Sequence, residues 1–129
     1  MTVDDLINNF NMMEEWEDKY SYLIELGREL SPFEAKNKTD ECRIYGCSSS
    51  VWWNYKVDEN GKYRFAFDSD ALIVKGLLYI LTVIFNEKTV SEIKAINAME
   101  IFDKMGLSRH LSAQRQVGIT SVISKIQSI

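Results

Sequence analysis

The sequence has little of the residue types on which several large classes of protein depend. Its 129 residues include two cysteines, one proline and one histidine. Two cysteines are too few for a disulfide framework, and a single proline excludes a proline-rich or collagen-like chain. Basic residues are also in the minority, since 15 Lys and Arg face 19 Asp and Glu. The net charge of −4 argues against nucleic acid or an anionic membrane surface as the main partner, because both require basic patches.

No hydrophobic run is long enough to cross a membrane. The most apolar stretch, residues 71–85, is interrupted by Lys75 and falls short of the roughly 20 residues that a spanning helix needs. The first residues, Met1 to Asp5, are acidic where a signal peptide carries basic ones. We therefore expect a cytoplasmic protein. In that reducing compartment a cysteine is a buried apolar residue, a ligand or a nucleophile.

Hydrophobic periodicity predicts helices in the first part of the chain and a small antiparallel sheet after them. Two helices are expected before Pro32, the second over residues 15–30, where Gly27 permits close packing. Alternating aromatic and β-branched residues then predict strands, and Asp58-Glu59-Asn60-Gly61 predicts a hairpin turn. The predicted strands are residues 43–45, 51–57 and 62–68.

Four more helices are predicted after the sheet. The first, residues 71–85, is apolar on all sides and is expected at the centre of the domain, with Ser69 or Asp70 as its cap. The others are expected over residues 89–97, 98–104 and 113–127, the first of them opened by a Thr89–Glu92 capping box. The order α-α-β-β-β-α-α-α-α predicts one α+β domain over residues 1–129.

The loop between the first two predicted strands carries the clearest candidate for chemistry. Its sequence is Gly46-Cys47-Ser48-Ser49-Ser50. A cysteine among small residues in a loop is accessible, and a preceding glycine suits a turn that a Cβ atom would oppose. The thiolate is the reactive form of cysteine, so a working Cys47 should lie near hydrogen-bond donors or positive charge. The alternative is an inert loop cysteine.

Cys42 and His110 allow three further interpretations of this candidate site. A disulfide between Cys42 and Cys47 is geometrically feasible across a turn, although a reducing compartment disfavours it. The two thiols and His110 would give three soft ligands, without the paired C-x2-C spacing or the fourth ligand of a structural zinc site. Cys47 and His110 could instead form the nucleophile and base of a thiol hydrolase.

Two further charged residues lie near predicted helix starts. Asp70 is explained as a cap or first-turn acid, which the helix dipole favours. Arg115 in a first turn is opposed by the same dipole, which favours a role toward a partner or in a salt bridge.

The segment Ile44-Tyr45-Gly46-Cys47-Ser48-Ser49-Ser50-Val51-Trp52 resembles the SufE-type cysteine desulfuration proteins, whose signature is Gly-Cys-x-Ser-x-Val-Trp. Three more blocks are similar to the family in the same order, at residues 16–27, 68–77 and 105–118. The likeness covers nearly the whole chain. Members of this family accept sulfur from cysteine desulfurases in iron–sulfur cluster assembly.

The resemblance implies a fold and a set of site residues. The fold would be SufE/NifU-like, with a small antiparallel sheet packed against helices. Cys47 would be the single working cysteine. The residues implied to support its loop or to contact the partner are Gly46, Ser49, Asp70, His110 and Arg115. Cys42 departs from the family, which usually has a polar residue there, and is the candidate redox partner of Cys47.

The resemblance also implies partners and a mechanism. The Cys47 thiolate would take sulfur from a persulfide on a cysteine desulfurase of the SufS/CsdA type, stimulate that enzyme, and pass the sulfur to a downstream iron–sulfur scaffold. Pyridoxal phosphate would belong to the desulfurase, and neither cofactor nor metal is expected on this chain. Two alternatives are an iron–sulfur cluster scaffold, which needs about three or four Cys or His ligands, and the thiol hydrolase.

Overall fold

A computed structural model of the chain describes residues 1–46 and 49–129, so Cys47 and Ser48 lie outside the described residues. Helices and a small antiparallel sheet make up the described part, which confirms the predicted α+β class. The α-helices are α1 (Val3–Asn11), α2 (Trp16–Gly27), α3 (Leu72–Phe85), α4 (Val90–Ala95), α5 (Ala98–Lys104) and α6 (Ala113–Gln127). The strands are β1 (Val51–Val57) and β2 (Tyr63–Ser69), and short 3-10 helices lie at Ala35–Asn37 and Ser108–His110.

Two helices begin at capping boxes that fix their first turns. The Thr2 hydroxyl accepts a hydrogen bond from the Asp5 N–H at 3.1 Å, and the Asp5 carboxylate accepts one from the Thr2 N–H at 3.0 Å. Thr89 and Glu92 form the same reciprocal pair at the start of α4, which confirms the predicted box. Each box satisfies backbone donors that the first helical turn otherwise leaves unpaired.

The sheet is an antiparallel hairpin whose two strands pair from Val51 opposite Ser69 to Val57 opposite Tyr63. The Asp58 carboxylate closes the turn by accepting hydrogen bonds from the backbone of Asn60 and Lys62, both at 2.9 Å. The predicted hairpin is therefore confirmed. Its buried face packs on the helices and is formed by Val51, Trp53, Phe65 and Phe67.

Residues 43–45 form a single bridge and not the predicted third strand. Arg43 pairs with Trp52 in β1, and no further ladder develops among the described residues. Hydrogen-bonded turns over residues 39–43 precede the segment, and Gly46 bends the chain immediately after it with φ at +99°. Only one residue pair therefore fits between the two bends.

Helices α2 and α3 approach each other at the distance of backbone contact. A Cβ atom on Gly27 would lie 2.9 Å from the Gly76 nitrogen, and one on Gly76 would lie 2.7 Å from the carbonyl carbon of Leu23. The predicted role of Gly27 in close packing is confirmed. Helix α3 buries eight of its 14 residues, as expected for a central helix. No helix in the described ranges is both long and apolar enough to cross a bilayer.

One carboxylate on the opposite face of the hairpin joins three parts of the chain. Asp68 in β2 pairs with Lys38 at 2.7 Å and with Lys75 of α3 at 3.6 Å, and its side chain is only 16% exposed. Burial alone would raise the pKa of Asp68. Hydrogen bonds from the Lys38 side chain and the Ser69 backbone, with the charges of both lysines, hold that pKa below its ordinary value of 3.8.

Asp68→Asn is expected to lower the free energy of unfolding by about 1–2 kcal/mol at neutral pH, because charge-assisted hydrogen bonds are lost. The pKa of Asp68 is lower in the folded protein than in the unfolded chain. Its stabilisation is therefore fully present above pH 3.8 and disappears as the pH falls through the folded-state pKa. Denaturant titrations of parent and variant from neutral pH into acid check this. The two stabilities should converge in acid, and an unchanged gap would show that the substitution acts through packing alone.

Candidate functional site

Backbone hydrogen bonds close the base of the loop that contains Cys47. The Ile44 N–H donates to the Val51 carbonyl at 2.9 Å, so residues 45–50 form the loop between these two residues. Gly46 lies in the left-handed region, with φ at +99°, which confirms the predicted need for glycine there. Cys47 and Ser48 lie outside the described residues, so the reactive thiol stays a prediction.

Gly46 also packs directly against α6. A Cβ atom at this position would lie 2.6 Å from the hydroxyl oxygen of Ser121 and 3.2 Å from its Cβ. The Ser121 hydroxyl donates to the Val117 carbonyl at 2.9 Å, which holds it in place. Sequence reasoning missed Ser121, because only the packing of the loop on α6 makes it part of the site.

Gly46→Ala is expected to destabilise the protein by about 1–2 kcal/mol, through left-handed strain and overlap with Ser121. The second substitution Ser121→Ala removes the nearer atom and should recover part of that loss, while the strain remains. Denaturant unfolding of the parent, both single variants and the double variant measures the coupling. If Gly46→Ala costs the same stability with and without the Ser121 hydroxyl, the packing explanation is wrong.

The other end of the loop is attached to the end of β2. The Ser50 N–H donates to the Asp70 carboxylate at 3.1 Å, and the Ser69 hydroxyl donates to the Ser50 carbonyl at 2.7 Å. The predicted helix cap at Ser69 or Asp70 is therefore wrong. The capping residue of α3 is Ala71, which has no side chain that could accept a capping hydrogen bond. The structure brings Asp70 to the loop, where it fixes the loop backbone.

A cavity of about 180 Å³ lies where the loop meets α3 and α6. Ser49 is part of its wall on the loop side. Helix α3 contributes Val74 and Leu77, while α6 contributes the apolar Ile119 and the cationic Arg115. The cavity therefore combines apolar and polar walls with one positive charge, directly beside the residues that flank Cys47.

Arg115 is half-buried in this cavity and forms no ion pair with residues 1–46 or 49–129. It is the third residue of α6, and its N–H donates to the hydroxyl of the capping residue Ser112 at 3.2 Å. A cation in the first turn opposes the helix dipole, so this arginine does not serve the stability of α6. Its free charge can instead stabilise an anion in the cavity.

His110 and Cys42 do not line the cavity. His110 is exposed, and its ring stacks on Trp16 with the ring centres 4.8 Å apart. Cys42 is half-buried, and its carbonyl accepts a hydrogen bond from the Trp53 N–H at 2.7 Å. The nucleophile–base pair and the redox pair both involve Cys47, outside the described residues, and stay predictions. Within the described ranges, no three His, Cys, Asp or Glu side chains are grouped to hold a metal ion.

Comparison with protein families decides where this chain belongs. Residues 4–129 match the family described as SufE, Fe-S metabolism associated domain. The chain belongs to the SufE family. The resemblance carried by the Cys47 loop and three further blocks is thereby confirmed, and SufE-family membership ties the chain to iron–sulfur metabolism.

Individual relatives extend the SufE-family match over nearly the full length. An uncharacterised SufE-like protein of Rhizobium meliloti is 42% identical over 130 residues, which cover 98% of this chain and 93% of the relative. The sulfur acceptor protein CsdE of Escherichia coli is 39% identical over 126 residues, which cover 98% and 86%. The solution structure of a hypothetical protein from Thermus thermophilus shares the fold, with a TM-score of 0.77 at 16% identity over 99% of this chain and 94% of that one.

Proposed function

We propose that this SufE-family protein is a sulfur acceptor in iron–sulfur metabolism and that Cys47 carries the sulfur as a persulfide. The observation that carries the proposal is the cavity beside the Cys47 loop, whose walls include apolar residues and the cation of Arg115, which forms no ion pair among residues 1–46 and 49–129. The relative CsdE, named a sulfur acceptor, supports the same role at 39% identity.

In the proposed reaction the Cys47 thiolate attacks the outer sulfur of a persulfide on a cysteine desulfurase of the SufS/CsdA type. A sulfur–sulfur bond forms on Cys47 as the one on the desulfurase breaks, and the desulfurase cysteine leaves as a thiolate. Sulfane sulfur moves from one thiol to another, so no external oxidant or reductant is needed. Removing the sulfur frees the desulfurase for another turnover, which is how the chain would stimulate it.

The cavity suits a bound persulfide for two physical reasons. Val74, Leu77 and Ile119 exclude water and competing thiols, which would otherwise remove the outer sulfur. The guanidinium of Arg115 would stabilise the negative charge of the thiolate and then of the persulfide. In general, burial among apolar side chains raises the pKa of a thiol, and a neighbouring cation lowers it.

Hydrogen bonds anchor the two ends of the loop that contains Cys47. The pairing of Ile44 with Val51 and of Ser50 with Asp70 holds both ends, and Gly46 has a backbone conformation that favours glycine. In this proposal the cavity shelters the carried sulfur until a partner docks. Pyridoxal phosphate belongs to the desulfurase, and a downstream iron–sulfur scaffold receives the sulfur.

Intact-mass spectrometry tests the proposal directly. The chain is incubated with a SufS-type desulfurase and cysteine, and then analysed without reductant. We expect an added mass of one sulfur atom, which dithiothreitol removes and which maps to the Cys47 peptide. No added sulfur, under conditions in which the desulfurase itself carries a persulfide, would refute the acceptor role. Sulfur on the Cys42 peptide alone would keep the role and overturn the assigned residue.

A further inference from the structure

A second, larger groove runs beside the same loop, between residues 43–45 and the outer face of α6. Its volume is about 780 Å³. Tyr45 forms part of one wall and Ser121 part of the other. Since Gly46 follows Tyr45 in the chain and contacts Ser121, the groove reaches the residue immediately before Cys47.

The walls of the groove expose apolar surface that the folded chain leaves uncovered. Tyr45 is 64% exposed and Val117 is 58% exposed. The guanidinium carbon of Arg43 lies 5.4 Å from the centre of the Tyr45 ring, so the two side chains form a cation–π pair. Aromatic residues and arginine are enriched in protein interfaces, which makes this pair a suitable contact surface.

The charges of the groove are all of one sign. Arg43 and Lys125 line it, none of its lining residues is acidic, and neither cation forms an ion pair within the described ranges. The Nε atom of Arg43 is buried and has no hydrogen-bond partner in the described part of the chain. No acidic residue follows Asp103, although the chain as a whole carries a net charge of −4. This cationic groove is therefore complementary to carboxylates.

We propose that the groove docks an acidic segment of the protein that delivers sulfur to Cys47. An apolar side chain of that segment packs against Tyr45 and Val117, and its carboxylates pair with Arg43 and Lys125. The inference rests on the proposed function, because a sulfur donor must bring its persulfide into bonding distance of Cys47. A donor that does so approaches the surface next to Gly46, and this groove is part of that surface.

Binding of a SufS-type desulfurase, with its persulfide-forming cysteine replaced by serine, measures docking without sulfur transfer. For the double variant Arg43→Glu/Lys125→Glu, calorimetry at low salt should show a Kd raised about tenfold or more, because attraction becomes repulsion. Tyr45→Ala, which changes no charge, should weaken binding to a smaller extent. The control Lys56→Glu/Lys62→Glu makes the same change of charge on exposed residues of the hairpin and should bind like the parent. Thermal unfolding verifies that each variant is folded.

Three results would overturn the proposal. In the first, the parent chain does not bind the desulfurase. In the second, the groove variants bind the desulfurase as tightly as the parent. In the third, the hairpin control loses as much affinity as the groove variants. Sulfur loading, measured by intact mass, separates this inference from the proposed function. A parent that binds through the groove and gains no sulfur refutes the acceptor role alone. A parent that gains sulfur while the groove variants bind normally refutes the docking site alone.

Discussion

Cys47→Ser is expected to abolish sulfur uptake, leaving no transferable sulfur on the chain above background. A serine hydroxyl is not ionised at neutral pH and cannot form the sulfur–sulfur bond that the transfer requires. Stimulation of the desulfurase should fall to the rate measured without the chain. Intact mass and the rate of sulfide release, measured together, check both effects. A variant that stimulates the desulfurase as the parent does would show that the sulfur does not pass through Cys47.

Cys42→Ser is the matched control, because these are the two cysteines of the chain. Cys42 is half-buried and takes part in the bridge to β1 through its backbone, so the substitution should preserve both fold and sulfur transfer. A loss of transfer in both variants would contradict the one-thiol mechanism. It would favour a redox pair, and mass spectrometry of oxidised protein should then show a disulfide between Cys42 and Cys47.

Gly76→Ala is expected to lower the free energy of unfolding by about 3 kcal/mol and the melting temperature by about 10 °C. In an open helix the same change would stabilise the protein by about 1 kcal/mol, through helix propensity. Here the new Cβ would overlap the backbone carbonyl of Leu23, and backbone cannot rotate away as a side chain can. Helices α2 and α3 would have to separate, which opens the centre of the core. Differential scanning calorimetry measures the shift.

Gly61→Ala separates steric overlap from backbone strain. Gly61 has φ at +76° in the hairpin turn, and nothing lies within 4 Å of the position a Cβ would occupy. Its substitution should cost about 1 kcal/mol, from the left-handed conformation alone. If Gly76→Ala is as stable as Gly61→Ala or more stable, the close approach of α2 and α3 does not control stability.

Local patterns predicted the elements whose determinants lie within a few residues. The capping box at Thr89 and the turn at 58–61 formed as expected. Predicted and observed bounds agree at Val51–Val57 and at Ala113–Gln127. Each of these features is satisfied by neighbours in the chain, so the surrounding fold has little to change.

Predictions failed where residues distant in the chain bonded to, or packed against, groups that the local pattern assigned to neighbouring residues. Asp70 has the chemistry of a helix cap, but its carboxylate accepts from Ser50, 20 residues earlier in the chain. The strand expected at 43–45 is reduced to one pair at Arg43, because Gly46 bends the chain against α6. Neither outcome is visible in the local pattern, since both depend on which segments meet.

The sequence by itself indicated the family and the candidate thiol, through a short loop motif and three ordered blocks, and the α+β class, through the order of its helical and strand patterns. Only the tertiary structure decided which residues surround that loop. In the structure, Ser49, Val74 and Arg115 line one cavity. His110 stacks on Trp16 and does not line that cavity. Residue type and spacing limit the chemistry that a chain can perform. Which side chains meet across long stretches of chain is set by the packing of whole helices and strands.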